Sequence, residues 1–404
     1  MMKPILFLYL FYKILGLLPF SIRLSPPRTD DSKKCSVSFL GLVYNWILIL
    51  VTFTLSFPAV EAFYDIQFDY KTKTVMTIGM TRAISSTIVT LFIWLFVSLR
   101  QLKAVEITQR LLTIDKMLMT LKNVHYHESL DLRMIAIIWT NVFIWINVFW
   151  LDMTVFKSLF KSSFVIFILP NVIFNWFLIQ YSLVLSSIET RFRGINRAIT
   201  RLSKSHCCLI EDTRVFRDLM ALHGLLYDVA CAVTNFYAFP VLLIITVSCG
   251  AILTTSYYLI VPFLMHRAVS IFRTLDSIAY LAMEVFPIVI LSTTVTRVSH
   301  EMKLTTVAVH KLLAESLSDK QLKSELKLFS LELLHRRLQF TCCGIFSLDC
   351  TLLHSIANMT GTYLVILIQF QGTERTSTDH VTSNNIILNT IFNETCASNQ
   401  CGTT

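Results

Sequence analysis

Charge is what this 404-residue sequence has little of. Charged residues make up 15% of it, where a soluble protein carries about 25%, and 54% of the residues are hydrophobic, with a mean hydropathy of +0.62. That composition excludes the two or three soluble domains such a length would otherwise suggest. Strand-period alternation is missing too, which excludes a transmembrane β-barrel. No HExxH, Walker A loop, GxSxG or GxGxxG occurs, so nothing indicates an enzyme, a catalytic residue, a metal ligand or a cofactor. The ten cysteines show no metal-binding spacing. Cys207–Cys208 and Cys342–Cys343 are adjacent pairs that read as small apolar filler. The net charge of +9 is not a nucleic-acid signal, because the basic residues sit in particular loops.

What is present is a series of apolar runs, each long enough to cross a hydrocarbon core about 30 Å thick. The expected fold class is all-α, a polytopic membrane protein with seven transmembrane helices at about 37–57, 75–99, 134–151, 164–186, 234–261, 277–296 and 351–371. Pro170 should kink the fourth span or mark its outer end. Residues 1–20 are apolar but broken by Lys13 and Pro19. They lack a small-residue cleavage site, so an interfacial helix fits better than a signal peptide.

Lys and Arg are distributed unevenly. Of 35, the N-terminus and the second, fourth and sixth loops hold 27; the other loops and the tail hold 7, and Arg82 lies within the second span. The positive-inside rule then makes the N-terminus cytoplasmic, and seven spans put the C-terminus outside. That is the reverse of a G-protein-coupled receptor, and the Asp-Arg-Tyr and Asn-Pro-x-x-Tyr motifs of that class are absent. A membrane transporter or embedded enzyme is opposed by the lack of repeated halves with broken helices and of clustered ionisable residues.

Two stretches stand out. In the sixth loop, Leu322, Leu326, Phe329 and Leu333 recur at helical spacing, with Leu334, Leu338 and Phe340 extending the apolar surface; such a helix needs an apolar partner. Near the end, Gly361–Gln371 reads Gly-Thr-Tyr-Leu-Val-Ile-Leu-Ile-Gln-Phe-Gln. Thr362, Ile366 and Gln369 share one helix face, and Tyr363, Ile366 and Phe370 form an adjacent stripe. An uncharged, slightly polar face of this kind either buries in protein or lines a pore.

Thr362-Tyr363, five hydrophobic residues and then Gln369-Phe370 resemble the TYhhhhhQF motif of insect gustatory receptors. The run before it is similar as well: Glu325-Leu326, Phe329-Ser330, Leu334-His335, Phe340-Thr341, Cys343-Gly344-Ile345-Phe346 and Leu348-Asp349. The resemblance is specific over about 300–371; before that it rests on topology. It implies a seven-transmembrane chemoreceptor of the plasma membrane of sensory neurons, related to insect odorant receptors. It further implies a ligand-gated cation channel, a homo- or hetero-tetramer with other subunits, opened by a small-molecule tastant. The last span would contribute its outer half to the pore, the cytoplasmic helix ends would form an anchor, and the ligand would enter from outside. The division expected is 1–36 as a cytoplasmic segment, 37–296 as the ligand-binding bundle, 297–350 as the anchor, 351–371 as the pore helix and 372–404 as an extracellular tail. Members tuned to disaccharide sugars carry Glu after Thr-Tyr. Here Leu364 stands in that place, which leaves bitter or fructose-like tastants. An odorant receptor channel is the alternative within the same fold.

The pore and gate residues expected are Thr362, Tyr363, Ile366, Gln369 and Phe370. Four Phe rings about an axis can exclude water, and Gln amides can pass hydrated ions; packing between helices is the other reading. Asp349 either caps the last helix or draws cations to its inner end. Arg82 and Glu284, ionisable and inside spans, point to a polar cavity or to partners. With them as pocket candidates stand Trp145, Trp150, Asp152, Asn171, Asn175, Tyr257 and Tyr280 in the outer halves, where aromatics could equally form a lipid-interface belt. Asn358-Met-Thr360 is a glycosylation sequon inside a span and should be unused. Asn393-Glu-Thr395 should carry a glycan, and Cys396 and Cys401 can close a disulfide if the tail is outside.

Overall fold

The computed structural model of the chain describes residues 2–23, 34–64, 73–120, 132–155, 164–204, 209–264, 270–315, 320–336 and 338–370. The tail residues Asn393, Cys396 and Cys401, and Cys207–Cys208, lie outside the described residues.

Helices are α1 (Met2–Ile14), α2 (Phe39–Tyr64), α3 (Lys73–Leu99), α4 (Gln101–Thr120) and α5 (Leu132–Val155). A π-helical turn at Phe164–Ile168 leads into α6 (Leu169–Lys204), followed by α7 (Leu209–Leu264), α8 (Ile271–Glu315), α9 (Lys320–His335) and α10 (Thr351–Phe370). Two small antiparallel ribbons, β1 (Ser21–Arg23) with β2 (Lys34–Ser36) and β3 (Thr341–Cys342) with β4 (Phe346–Ser347), brace the connections. Seven of the helices, α2, α3, α5, α6, α7, α8 and α10, are long and apolar enough to cross a membrane, in agreement with the seven expected spans.

Lipid offers no partner to backbone amides, so spanning segments close all their hydrogen bonds as helices. Pro170 accordingly sits in the first turn of α6, where its missing N–H costs nothing. It follows closely on the π-helical turn and lies six residues inside the span that begins at Phe164, so it does not mark the span's outer end. Helix α6 holds the centre of the bundle: 72% of its apolar stretch is buried, against 17% for α2. Tyr181, Phe177 and Phe192 on α6 are fully enclosed, and α6 packs most extensively against α8. Helices of 36, 56 and 45 residues in α6, α7 and α8 run about 54–84 Å at 1.5 Å per residue. They far exceed the hydrocarbon thickness and project together beyond one end of it. Helix α8 is continuous through residue 296, so the expected bundle and anchor regions share one rod.

The amino-terminal helix α1 packs one face on the bundle: Phe11 meets Trp176 edge-on at 4.5 Å, and Tyr12 and Leu17 are buried, while Phe7, Leu10 and Ile14 face outward. The turn after α1 has a definite lock. Trp94 Nε1 donates to the Leu15 carbonyl (2.9 Å), and Asn45 Nδ2 donates to the Gly16 carbonyl (2.9 Å) and to Ser98 Oγ (2.9 Å). Gly16 adopts φ 73°, and a Cβ there would lie 2.7 Å from Asn45 Oδ1, so only glycine fits. Because lipid tails are as apolar as Leu, such hydrogen bonds and close packing carry helix association.

In α9, Leu326, Phe329 and Leu333 are buried as the periodicity predicts, against α7 and α8, and Phe340 is buried just beyond. Leu334 is different. It faces outward with Leu328 and Leu331 and adds to the exposed side of the helix.

Candidate functional site

One end of the bundle gathers nearly all of the polar residues singled out within spans. Arg82 in the early turns of α3 reaches Glu284 of α8: Nη2 donates to Oε1 at 3.3 Å. Its Nη1 donates to Thr254 (3.2 Å) and Thr255 (3.5 Å) on α7, and its guanidinium sits 5.8 Å from the centre of the Phe167 ring. Ser248 of α7 is buried as well. Four segments therefore converge on one buried ion pair. A second focus lies alongside. Tyr280, one turn before Glu284 on α8, donates its hydroxyl to Asp152 Oδ1 of α5 at 3.3 Å. Trp145, two turns before Asp152 on the same face of α5, is buried against Met283 and Tyr280. Asn175 of α6 donates to the Met283 carbonyl at 3.1 Å.

Among the described residues, several polar atoms here have no hydrogen-bond partner: Asp152 Oδ2, Asp276 Oδ1, Trp145 Nε1, Asn171 Nδ2 and Asn175 Oδ1. Buried polar groups are rarely left unpaired. Tyr257 is buried on α7. Trp150 does not join the others. It is 58% exposed, because it lies five residues from Trp145 and points to the opposite side of α5.

Residues not singled out from sequence complete the site. Thr254, Thr255 and Ser248 are uncharged and sit within an apolar run, so nothing flagged them. Asp276, 7% exposed, fell one residue before the expected start of its span and read as loop. Its place one turn before Tyr280 was the available signal.

The second candidate region is α10. Thr351 donates its backbone N–H to Asp349 Oδ1 at 3.0 Å, so Asp349 caps this helix. The Thr351 hydroxyl, with that amide and Ser347, holds the Asp349 carboxyl below its ordinary range. Cys350 Sγ lies 3.4 Å from Thr296 Oγ1, which ties the start of α10 to α8. Beyond that first turn the helix buries little in its own chain: 11% of its apolar stretch. Thr362, Tyr363, Ile366, Gln369 and Phe370 all lie at exposed positions. The two stripes expected from the spacing are thus outward-facing.

Where the helices project beyond the spans, charges replace these groups. Glu189 on α6, 2% exposed, receives Arg193 of its own helix, Arg297 of α8 (3.3 Å) and Arg133 of α5 (3.9 Å). Asp115 of α4 accepts Arg191 in two-pronged fashion, at 2.8 and 2.6 Å. Such planar paired contacts orient helices as well as hold them.

A family model described as 7tm Chemosensory receptor matches residues 5–374. Among curated proteins, gustatory receptor 28a of Drosophila melanogaster is 28% identical over 183 residues, covering 44% of this chain and 40% of that protein. Gustatory receptor 2a of the same species is 58% identical over 48 residues, 12% of this chain and 11% of that one. A gustatory receptor for bitter taste, 66a, is 26% identical over 160 residues, 38% of this chain and 30% of that one. The alignments thus span less than half the length of these relatives. Among solved structures, the insect olfactory receptor OR5 from Machilis hrabei superposes with a TM-score of 0.64 at 15% identity, over 91% of this chain and 98% of that one. The same receptor in complex with eugenol gives 0.57. At such identity the likeness is one of fold.

Proposed function

This chain belongs to the 7tm chemosensory receptor family, and we propose that it is a gustatory receptor working as a ligand-gated, non-selective cation channel. The observation that carries this reading is α10. A helix that buries 11% of its apolar stretch in its own chain, yet presents Thr362, Tyr363, Ile366, Gln369 and Phe370 on one side, gains its partners from other subunits. Four copies around an axis would turn this face into a pore lining, with Phe370 as the water-excluding constriction and Gln369 beside it. No charge occurs on the face to impose strong ionic selectivity. The channel would be a homo- or hetero-tetramer in the plasma membrane of sensory neurons.

By the positive-inside rule the projecting helix ends would be cytoplasmic and the Arg82–Glu284 end outside. A tastant would then enter from outside among α3, α5, α6, α7 and α8. There it would meet Asp152, Asn171, Asn175 and Trp145, whose polar atoms have capacity to spare. The bound ligand would shift α8, and the Thr296–Cys350 contact would pass that movement to α10. Leu364 and the likeness to a receptor named for bitter taste favour bitter or fructose-like tastants over disaccharide sugars. The OR5 likeness supports an odorant-type ligand as the second reading. Expression in cells and current recording against a panel of bitter compounds, sugars and odorants tests the proposal. Currents to one class support it; silence at the surface across the panel, alone and with partner subunits, counts against it.

A further inference from the structure

The part of the bundle that projects beyond the spans carries a hollow the chemoreceptor reading does not use. It is a groove between α6 and α8, open to the surface, with a volume of about 520 Å³. One wall is a ladder of Arg193, Arg197 and Arg201, spaced four residues apart on α6; Lys311 of α8 faces it. Leu304 and Val307 of α8 form the remaining wall and are 38% and 62% exposed.

The charges do not cancel. The acid in the lining is Glu301, and it is already engaged: Arg193 Nε donates to it at 2.9 Å and Asn196 Nδ2 at 3.2 Å. Asn196 is itself fixed by the hydroxyl of Thr305 at 2.7 Å, so this floor is built from both helices. Arg197 and Lys311 have no acidic partner among the described residues. Successive arginines, four residues apart, step away from the spans by about 6 Å each, starting roughly 10 Å below the residue at which the apolar run of α6 ends. A basic hollow between helices at the cytoplasmic membrane surface is the type of site that takes phosphoinositide head groups. A ladder of guanidiniums at staggered depths suits several phosphates on one ring better than a single phosphate.

We propose that the hollow between α6 and α8 binds a multiply phosphorylated inositol ring, with Arg197, Arg201 and Lys311 on its phosphates and Leu304 and Val307 against its apolar side. The site goes beyond ligand gating and rests on the cytoplasmic placement of this end. The ring could belong to a membrane phosphoinositide or to a soluble inositol phosphate, and the chemistry of recognition is the same.

The test uses the full-length purified chain and fluorescent phosphatidylinositol 4,5-bisphosphate, read by anisotropy, with phosphatidylserine as the comparison. Because nothing is read as current, failure of the channel reading would not alter the result. Arg197→Gln with Lys311→Gln should weaken binding about tenfold or more, while Lys303→Gln, exposed on α8 outside the hollow, should leave it unchanged. Both altered positions in the hollow are solvent-facing, so the variants should elute as wild type does. Displacement of the probe by inositol 1,4,5-trisphosphate at similar concentrations would assign the site to the soluble form. Resistance to it would assign the lipid. Equal affinity for phosphatidylserine, or equal binding by the double variant and wild type, would overturn the proposal.

Discussion

Arg82 and Glu284 stand 202 positions apart in sequence and meet at 3.3 Å inside the bundle, where each is the other's counter-ion. A charge left alone at such depth is costly, and breaking one partner of a buried pair destabilises by about 3–5 kcal/mol. If the ligand binds as proposed, the pair's place beside Tyr280 and Asp152 would tie it to ligand sensitivity as well as to folding.

Single replacements Arg82→Gln and Glu284→Gln should therefore lower surface expression, and the double replacement should recover part of it. Among receptors that reach the surface, the half-maximal ligand concentration should move by about tenfold, or 1.4 kcal/mol, with the surface-normalised maximum less affected. Dose–response curves with surface biotinylation check both. Unchanged midpoints would remove the pair from the ligand site, and strictly additive expression losses would deny the coupling.

The outward stripes of α10 lead to a second expectation. Phe370→Ala should raise current in the absence of ligand, because an aromatic constriction that excludes water loses its barrier when cut back. Gln369→Ala should change single-channel conductance or gating. Both variants behaving as wild type at normal surface level would mean that this face packs elsewhere.

A third concerns His223 on α7. It lies between the rings of Phe192 and Phe329 at 5.4 Å each, near Arg336, and neither ring nitrogen has a hydrogen-bond partner among the described residues. Burial first, and the Arg336 charge second, lower its pKa from 6.5 to about 4. A folded pKa below the unfolded one means the unfolded chain takes up the proton first. Stability is then full above about pH 6.5 and falls between 6.5 and 4, by about 3 kcal/mol in all. Melting of the detergent-solubilised protein should show this slope, and His223→Phe should flatten it. An identical slope in the variant would assign acid sensitivity to other groups.

Much of the architecture could be read from sequence because a span is a composition signal: about 20 apolar residues announce themselves locally. The cap at Asp349 and the buried face of Leu326, Phe329 and Leu333 were local too, set by spacing of one to four residues. What could not be read is what depends on distant segments meeting. Nothing near Arg82 says that its partner is Glu284 rather than Asp152. Nothing in residues 2–17 says that a pocket beside Trp94 and Asn45 awaits Gly16. Trp150 is the instructive case within one helix. Sharing an outer half with Trp145 made both candidates, although their five-residue separation already put them on opposite faces.

The topology can be tested at the tail. If the C-terminus is outside, Asn393 passes through the glycosylating compartment and should carry a glycan, and Cys396 and Cys401 should form a bridge there. An endoglycosidase shift that disappears in Asn393→Gln supports this. An epitope added after Thr404 should stain intact cells. Staining only after permeabilisation would reverse the orientation and with it the pore and pocket placement.

The most direct test of the channel itself is an outside-out patch pulled from cells expressing the protein, with no guanine nucleotide in the pipette. Applying an active tastant to the exposed face should evoke a non-selective cation current within the patch. That current should be altered by Phe370→Ala. A ligand response in whole cells that vanishes in such patches would show that another protein carries the current, and would contradict the account of α10 as a pore.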